Sequence, residues 1–230
     1  MEGVSIEFKI LILLLKLSGK DNEITEIEHF IQNNRVEWNK LMSLILTHSV
    51  KSIAFDKLQY CPKIIPNYFK DELKTKASRQ LIGNLFRQKE LVHLVTIFQN
   101  KGIPFLPYKG LILSYRCTGT FTKRDFNDLD FIIKKEDIGE ISQILISQGY
   151  QNSLQKEKEI KSVLKYGNEF LFIKKEKNIN FLIEPHWHFF ASFLSKGITY
   201  DDIKKDFSSI DVNGNQLSVL SNEWEFFLTC

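Results

Sequence analysis

Apolar positions recur at helical spacing through most of the first hundred residues. Residues 24–33, 38–46 and 81–98 each carry apolar side chains three and four apart, so the region from Ser5 to Gly102 is predicted to be helical almost throughout. The run Ile10-Leu11-Ile12-Leu13-Leu14-Leu15 predicts a buried helix. It is flanked by Glu7, Lys9 and Lys16 and is far shorter than the ~20 residues that a membrane span needs. No small-residue cleavage site follows it, which argues against a signal peptide. Asp21 or Asn22 is expected to cap the second helix, with Glu23 and Glu26 in its first turn. Pro62 and Pro66 interrupt the pattern, and a long helix is predicted over 67–100 with its stop at Gly102.

The pattern then changes. Ile103-Pro104-Phe105-Leu106-Pro107-Tyr108 is predicted to be extended, because each proline pushes its predecessor out of helical geometry. Lys109-Gly110 is a turn into a short helix over 111–117. Residues 128–133 form an apolar strand carrying acids at alternate positions. Residues 136–148 form an amphipathic helix with Ile138, Ile141, Ile144 and Leu145 on one face, closed by Gly149. Stretches 168–174 and 179–188 predict a hairpin around Glu176-Lys177-Asn178. A second hairpin, 210–212 with 216–219, turns at Asn213-Gly214. Ser221 is placed to cap a last helix that has Glu223 and Glu225 in its first turn. That helix reaches Cys230 after barely two turns, too short to be stable unless it docks, and the natural chain is expected to continue.

The predicted class is therefore α+β, a helical N-terminal region followed by a small mixed β-sheet flanked by helices. The expected divisions are 1–101 for the helical region, 102–195 for a catalytic core, and 196–230 for the start of a further region.

Composition narrows the partners. A net charge of +3 in 230 residues is spread along the chain, so nucleic acid is not indicated, and no membrane association is expected. The Lys-rich runs 156–165 and 174–177 read as solvated faces and a turn. Cys61, Cys117 and Cys230 are odd in number and far apart, with no CxxC spacing. Neither a disulfide framework nor a zinc knuckle is indicated, and a reducing cytoplasm fits.

The chemistry-bearing segment is Arg124-Asp125-Phe126-Asn127-Asp128-Leu129-Asp130. On a strand, residues two apart share a face, so Asp128 and Asp130 project together. Two adjacent carboxylates repel, and a divalent cation resolves the conflict. Carboxylate, water and phosphate oxygens are the ligands that Mg²⁺ prefers, with Mn²⁺ as a second candidate. Glu184 in Ile183-Glu184-Pro185-His186-Trp187-His188 becomes a third carboxylate at the same metal site if its strand pairs beside 128–133, and three carboxylates are enough to hold a pair of metal ions. His186 either assists the site formed by these carboxylates or joins Glu184 and His188 in a transition-metal site, the former being preferred because the latter leaves the Asp pair unexplained. Gly110 at a strand-to-helix turn lets backbone N–H groups approach a phosphate, and Lys109 adds a positive charge. Arg124 is either a phosphate contact or the salt-bridge partner of Asp125, while Asp125 itself reads as a cap or turn residue. His48 is assigned no role, and Trp38, Trp187 and Trp224 read as packing.

Taken in order, Lys109-Gly110, Arg124-x-x-x-Asp128-x-Asp130, a helix ending in Gly149-Tyr150, and Glu184-x-His186-Trp187 resemble the uncharacterised nucleotidyltransferase family of the DNA polymerase β-like superfamily. The resemblance covers residues 81–190 well and 38–58 more loosely. It implies that Asp128, Asp130 and Glu184 bind metal, with Glu184 also able to activate the attacking hydroxyl. It further implies that Lys109 and Gly110 hold the triphosphate of an NTP such as ATP, and that Arg124 and His186 contact the nucleotide. A small molecule or a modified peptide is the implied acceptor. Two features depart from the superfamily pattern: Lys-Gly stands where Gly-Ser or Gly-Gly is usual, and Glu184 where Asp is commoner. Other readings of the same residues are a nucleotide-binding or regulatory module with little chemistry, and a toxin-like enzyme acting on tRNA or protein.

Overall fold

The computed structural model describes residues 3–61, 63–176, 179–189, 198 and 200–229. Pro62, the hairpin residues Lys177 and Asn178, the boundary expected at 195, and Cys230 all lie outside that set. By contact density the chain divides into two compact units, Met1–Asn84 with Thr122–Phe126, and Leu85–Phe121 with Asn127–Cys230.

The first unit is helical, as the apolar spacing predicts. It contains α1 (Ile6–Lys16), α2 (Asp21–Gln32), α3 (Trp38–Thr47), α4 (Lys51–Leu58) and the first half of α5 (Asn67–Asn100). The six-residue apolar run lies in α1, where Ile10, Leu11 and Leu14 join Ile27, Leu41, Ile45, Leu58, Phe69 and Leu73 in one buried core. Ser5 caps α1 by accepting from the Phe8 N–H at 3.3 Å. The cap expected for α2 is different from the one found. Lys20 occupies the N-cap position without a side-chain bond, and Asp21 is already helical. Glu23 reaches back instead, accepting from the Ser18 N–H at 2.6 Å. Asp125 is a cap, as expected, but for α4 rather than for its own loop. Its buried carboxylate accepts from the Lys51 N–H at 3.0 Å and pairs with the Lys51 ammonium at 3.0 Å.

The second unit opens with the second half of α5 and builds a five-stranded mixed sheet. Its elements are β1 (Phe105–Tyr108), α6 (Gly110–Thr118), β2 (Asp128–Ile133), α7 (Ile138–Ser147), β3 (Gln151–Asn152), α8 (Glu157–Tyr166), β4 (Phe172–Glu176) and β5 (Ile179–His186). The strand order is β1-β2-β5-β4-β3. β2 and β5 run parallel and every other neighbour is antiparallel. The four isoleucine and leucine positions predicted to share a face of α7 are all buried. The Lys-rich run after Gln155 folds as α8, with no buried residue, so its predicted solvation holds while its helicity went unread. The two-residue β3 has no recognisable pattern. The first hairpin strand begins at Phe172 rather than 168, although residues 168–170 still pair: Trp187 N–H donates to the Asn168 carbonyl at 2.9 Å.

The rest of this unit is α9 (Tyr200–Ile203), the hairpin β6 (Ser208–Val212) with β7 (Asn215–Val219), and α10 (Asn222–Thr229). Asn213 and Gly214 both have positive φ (54° and 82°), the geometry that a two-residue hairpin turn of this pair requires. Ser221 caps α10, accepting from the Trp224 N–H at 3.3 Å. Leu220 and Leu228 pack with Leu106, Tyr108 and Ile132 of the sheet. Among the described residues, no helix is long and apolar enough to cross a membrane.

Period-two alternation sorts the sheet into two faces. Cross-strand partners lie on the same face, so Tyr108, Asp130 and Glu184 stand together, with Ile132 and His186 next along. Leu129, Phe131 and Ile183 point to the opposite face and are buried. There Phe98 of α5 stacks on Phe105, which stacks on Phe131, each pair at 3.9 Å. The apolar face anchors the sheet to α5, and the other face is free to carry acids.

Candidate active site

The register of β2 against β5 decides the site. Asp130 pairs with Glu184 and Ile132 with His186, as expected if Glu184 were to join the aspartate pair. Ligand atoms of Asp130, Glu184 and His186 all fall within 4.8 Å of one another, a spacing at which a single cation bridges two carboxylate oxygens and an imidazole nitrogen. Asp128 stands two residues before Asp130 on the same face, half-buried and outside that tight trio, yet close enough for its charge to raise the Glu184 pKa.

These acids repel one another at the edge of an apolar core. Burial, then Asp130 and Asp128, push the Glu184 carboxyl up to about 7. Asp128 is raised too, first by burial and then by Asp130, with Lys109 and Arg87 pulling the other way. The Tyr108 hydroxyl is buried with no hydrogen-bond partner among the described residues, and its ionisation is strongly disfavoured by burial and by Asp130, Glu169 and Glu184. Converging acids with this little compensation fit a divalent cation.

His186 is the buried organiser of the cluster, 4% exposed. Its Nε2 lies 3.0 Å from Asp130 Oδ1 and 3.8 Å from Glu184 Oε2, and its Nδ1 lies 2.8 Å from Glu169 Oε2. Burial alone would lower its pKa, but the bonds to Asp130 and Glu169 outweigh burial and raise it. The same bond holds the Glu169 carboxyl below its usual range. His188 is half-buried, and Trp187 is buried with its indole N–H donating to the Gly167 carbonyl at 3.1 Å.

Lys109 and Gly110 sit at the β1–α6 junction. Lys109 adopts φ 51° and ψ −145°, close to a region that is essentially glycine's and costs another residue on the order of 1–3 kcal/mol. Gly110 also has positive φ. The Lys109 ammonium lies 4.7 Å from the Tyr108 ring centroid, and its charge favours ionised Asp128 and Glu169. The Lys109 N–H donates to Glu225 Oε1 of α10 at 2.7 Å. Glu225 is 2% exposed, and burial raises its pKa to about 6. Arg124 belongs to the first unit, where the Asn84 side chain donates to its carbonyl at 2.9 Å.

Four residues around the cluster were not singled out from the sequence. Arg87 of α5 is 9% exposed, donates from Nε to the Asn127 carbonyl at 3.1 Å, and stabilises ionised Asp128. Its signal was a cation four and seven residues before Leu91 and Leu94 on a buried helical stripe. Glu169 was legible only as an acid in the apolar stretch 168–174. Tyr108 and Glu225 offered no signal, since a strand-end tyrosine and an acid in a helix's first turn are commonplace.

A search of curated proteins finds no match to this sequence. Among solved structures, the chain is similar to the lincosamide antibiotic adenylyltransferase LnuA in its lincomycin-bound form, at 15% identity and a TM-score of 0.43, covering 62% of this chain and 85% of that one. It is also similar to the antibiotic-resistance factor ANT(2'')-Ia in its solution structure, at 16% identity and a TM-score of 0.41, covering 63% and 70%. The crystal structure of ANT(2'')-Ia with adenylyl-2''-tobramycin matches at 19% identity and a TM-score of 0.37, covering 60% and 73%. The model of one family, described as uncharacterised nucleotidyltransferase, matches residues 34–230 and so takes in β1, β2, β5 and every residue of the acidic cluster. With its α+β architecture and this match over most of its length, the chain belongs to the uncharacterised nucleotidyltransferase family.

Proposed function

We propose that the protein transfers a nucleoside monophosphate from an NTP to a hydroxyl or phosphate acceptor, with Asp128, Asp130 and Glu184 as its catalytic carboxylates. The observation that carries this reading is the pairing of Asp130 with Glu184 across parallel strands, which sets a third acid beside the aspartate pair. Asp130, Glu184 and His186 offer converging donors, and Asp128 adds a carboxylate on the same face. Mg²⁺ or Mn²⁺ held there would supply positive charge to the α-phosphate and to the pyrophosphate leaving group.

In the transfer, the acceptor oxygen forms a bond to the α-phosphorus as the bond to the β-phosphate oxygen breaks, and pyrophosphate departs. Glu184 would act as the third ligand or receive the acceptor's proton as general base. Asp130 is oriented by His186, which is itself fixed by Glu169. The Lys109–Gly110 turn and the start of α6 would grip the β- and γ-phosphates through backbone N–H groups and the Lys109 ammonium. Arg124 is assigned to a further phosphate contact and His186 to the nucleotide side of the site by family resemblance. The same resemblance favours a small molecule or a modified peptide as acceptor. Catalysis of this kind comes chiefly from positioning and from electrostatic stabilisation.

The test is a Mn²⁺- or Mg²⁺-supported transfer assay with α-labelled NTPs against pools of small-molecule and peptide acceptors. Asp128→Asn is expected to abolish transfer while leaving far-UV circular dichroism unchanged. Transfer persisting at the wild-type rate in that variant would remove Asp128 from the site. Tight NTP binding with no turnover on any acceptor would favour a nucleotide-binding regulatory module.

A further inference from the structure

We propose that Glu225 is a positioning residue for the phosphate-gripping turn, so that the C-terminal helix α10 sets the conformation of Lys109 and Gly110. The inference deepens the nucleotidyl-transfer reading and rests on it.

Lys109 is held at a positive φ that a lysine does not adopt unaided, and Gly110 follows with φ 24°. Something must hold the turn there. The first bond within α6 runs from the Leu113 N–H to the Lys109 carbonyl at 2.9 Å. The backbone N–H groups of residues 110–112 are therefore the ones that a helix start leaves for a ligand. The Lys109 N–H, one position earlier, donates to Glu225 Oε1 at 2.7 Å from 116 residues away in sequence. A buried carboxylate accepting an N–H is a strong, directional restraint. It fixes the peptide plane that leads into the helix, and with it the direction of the next three N–H groups.

The restraint runs both ways along α6. At the far end of the helix, Arg116 donates from one nitrogen to the Ser221 carbonyl at 3.0 Å and from the other to the Leu220 carbonyl. Its guanidinium lies 3.8 Å from Glu225 Oε2. The last turn of α6 thus grips the start of α10, and α10 returns a carboxylate to the first turn of α6. Leu220 and Leu228 seat α10 on Leu106 and Tyr108, the strand that ends at Lys109. The clamp therefore links the C-terminal segment to phosphate binding without Glu225 touching the nucleotide.

Calorimetric titration of the full chain with Mn²⁺ alone, and with inorganic tripolyphosphate in excess Mn²⁺, separates this role from the carboxylate site. Glu225→Gln keeps an acceptor at the same reach, whereas Glu225→Asp keeps the charge but falls short of the Lys109 N–H, and Glu225→Ala removes both. The expected result is tripolyphosphate affinity within about threefold of wild type for E225Q, and weaker by roughly tenfold or more for E225D and E225A. Affinity for Mn²⁺ alone is expected to stay unchanged in all three. The E225Q and E225D pair carries the test by itself if E225A fails to fold. Wild-type affinity in E225D and E225A, or tighter binding there, would overturn the proposal. Tighter binding would make Glu225 a competitor for the turn rather than its support. Wild-type protein that binds Mn²⁺ but no tripolyphosphate would instead overturn the nucleotide reading, and this role with it.

Discussion

Asp130 and His186 meet at 3.0 Å on neighbouring parallel strands, while the other nitrogen of the same imidazole faces Glu169 at 2.8 Å. The two carboxylates favour the protonated form of the ring and hold its pKa above the ordinary value against the effect of burial. His186 thereby orients Asp130 and is itself oriented by an acid from outside the strand pair. Partners of this kind, one step back from a metal ligand, commonly matter as much as the ligand's own environment.

Replacing His186 by Ala is expected to lower nucleotidyl transfer and Mn²⁺ affinity by about 10- to 100-fold, by freeing Asp130 to rotate. Glu169→Gln is expected to have a smaller effect in the same direction, because an amide oxygen still accepts from Nδ1. Parallel measurement of Mn²⁺ binding and transfer rate checks both. Wild-type binding in the His186 variant would show that Asp130 needs no such support.

The cluster predicts a definite pH dependence of stability in metal-free protein. Glu184 and Asp128 hold their protons more tightly in the folded chain than in the unfolded one, and so does His186. Their contributions are therefore present at low pH and are lost as pH rises. For Glu184 the window runs from its ordinary 4.5 to about 7, with a cost of up to about 3 kcal/mol above it. Melting temperatures without metal are expected to fall between pH 5 and pH 7.5 by roughly 5 °C or more. Glu184→Gln is expected to flatten that fall, leaving the variant inactive yet more stable than wild type at pH 7.5.

Addition of Mn²⁺ is expected to reverse the same loss. A cation that binds only the folded, ionised site raises the melting temperature by mass action. The increment is expected to be larger at pH 7.5 than at pH 5, where protons compete for Glu184. Thermal shift at the two pH values decides it, and an equal or reversed increment would place the ion elsewhere.

In the helical unit, Asp125→Ala is expected to destabilise the protein by about 2 kcal/mol. It removes the cap of α4 and leaves the largely buried Lys51 ammonium without this carboxylate. Chemical denaturation read by circular dichroism measures it. Asp125→Asn is expected to recover part of the loss, because the amide oxygen still accepts from the Lys51 N–H.

Local rules made much of this protein legible in advance. The spacing of apolar residues determined α1, α3, α5 and α7, because a helix's buried stripe is written in the sequence that forms it. The Asn213-Gly214 turn was likewise local, and so was the shared face of Asp128 and Asp130, since alternation along one strand needs no partner. The short strand β3 and the helix α8 were not legible. The one is two residues long, and the other buries nothing, so neither carries a periodic apolar signal. The site was legible only as far as its strands. That Glu184 lies beside Asp130 depends on the register of a parallel pair more than fifty residues apart in sequence. His186, Glu169, Arg87 and Glu225 reach the cluster through packing between elements that share no local pattern. Hydrogen bonds across such distances are set by where the core places each backbone, and only the tertiary structure decided that a buried histidine joins Asp130 to Glu169 and that α10 supplies the acid holding Lys109.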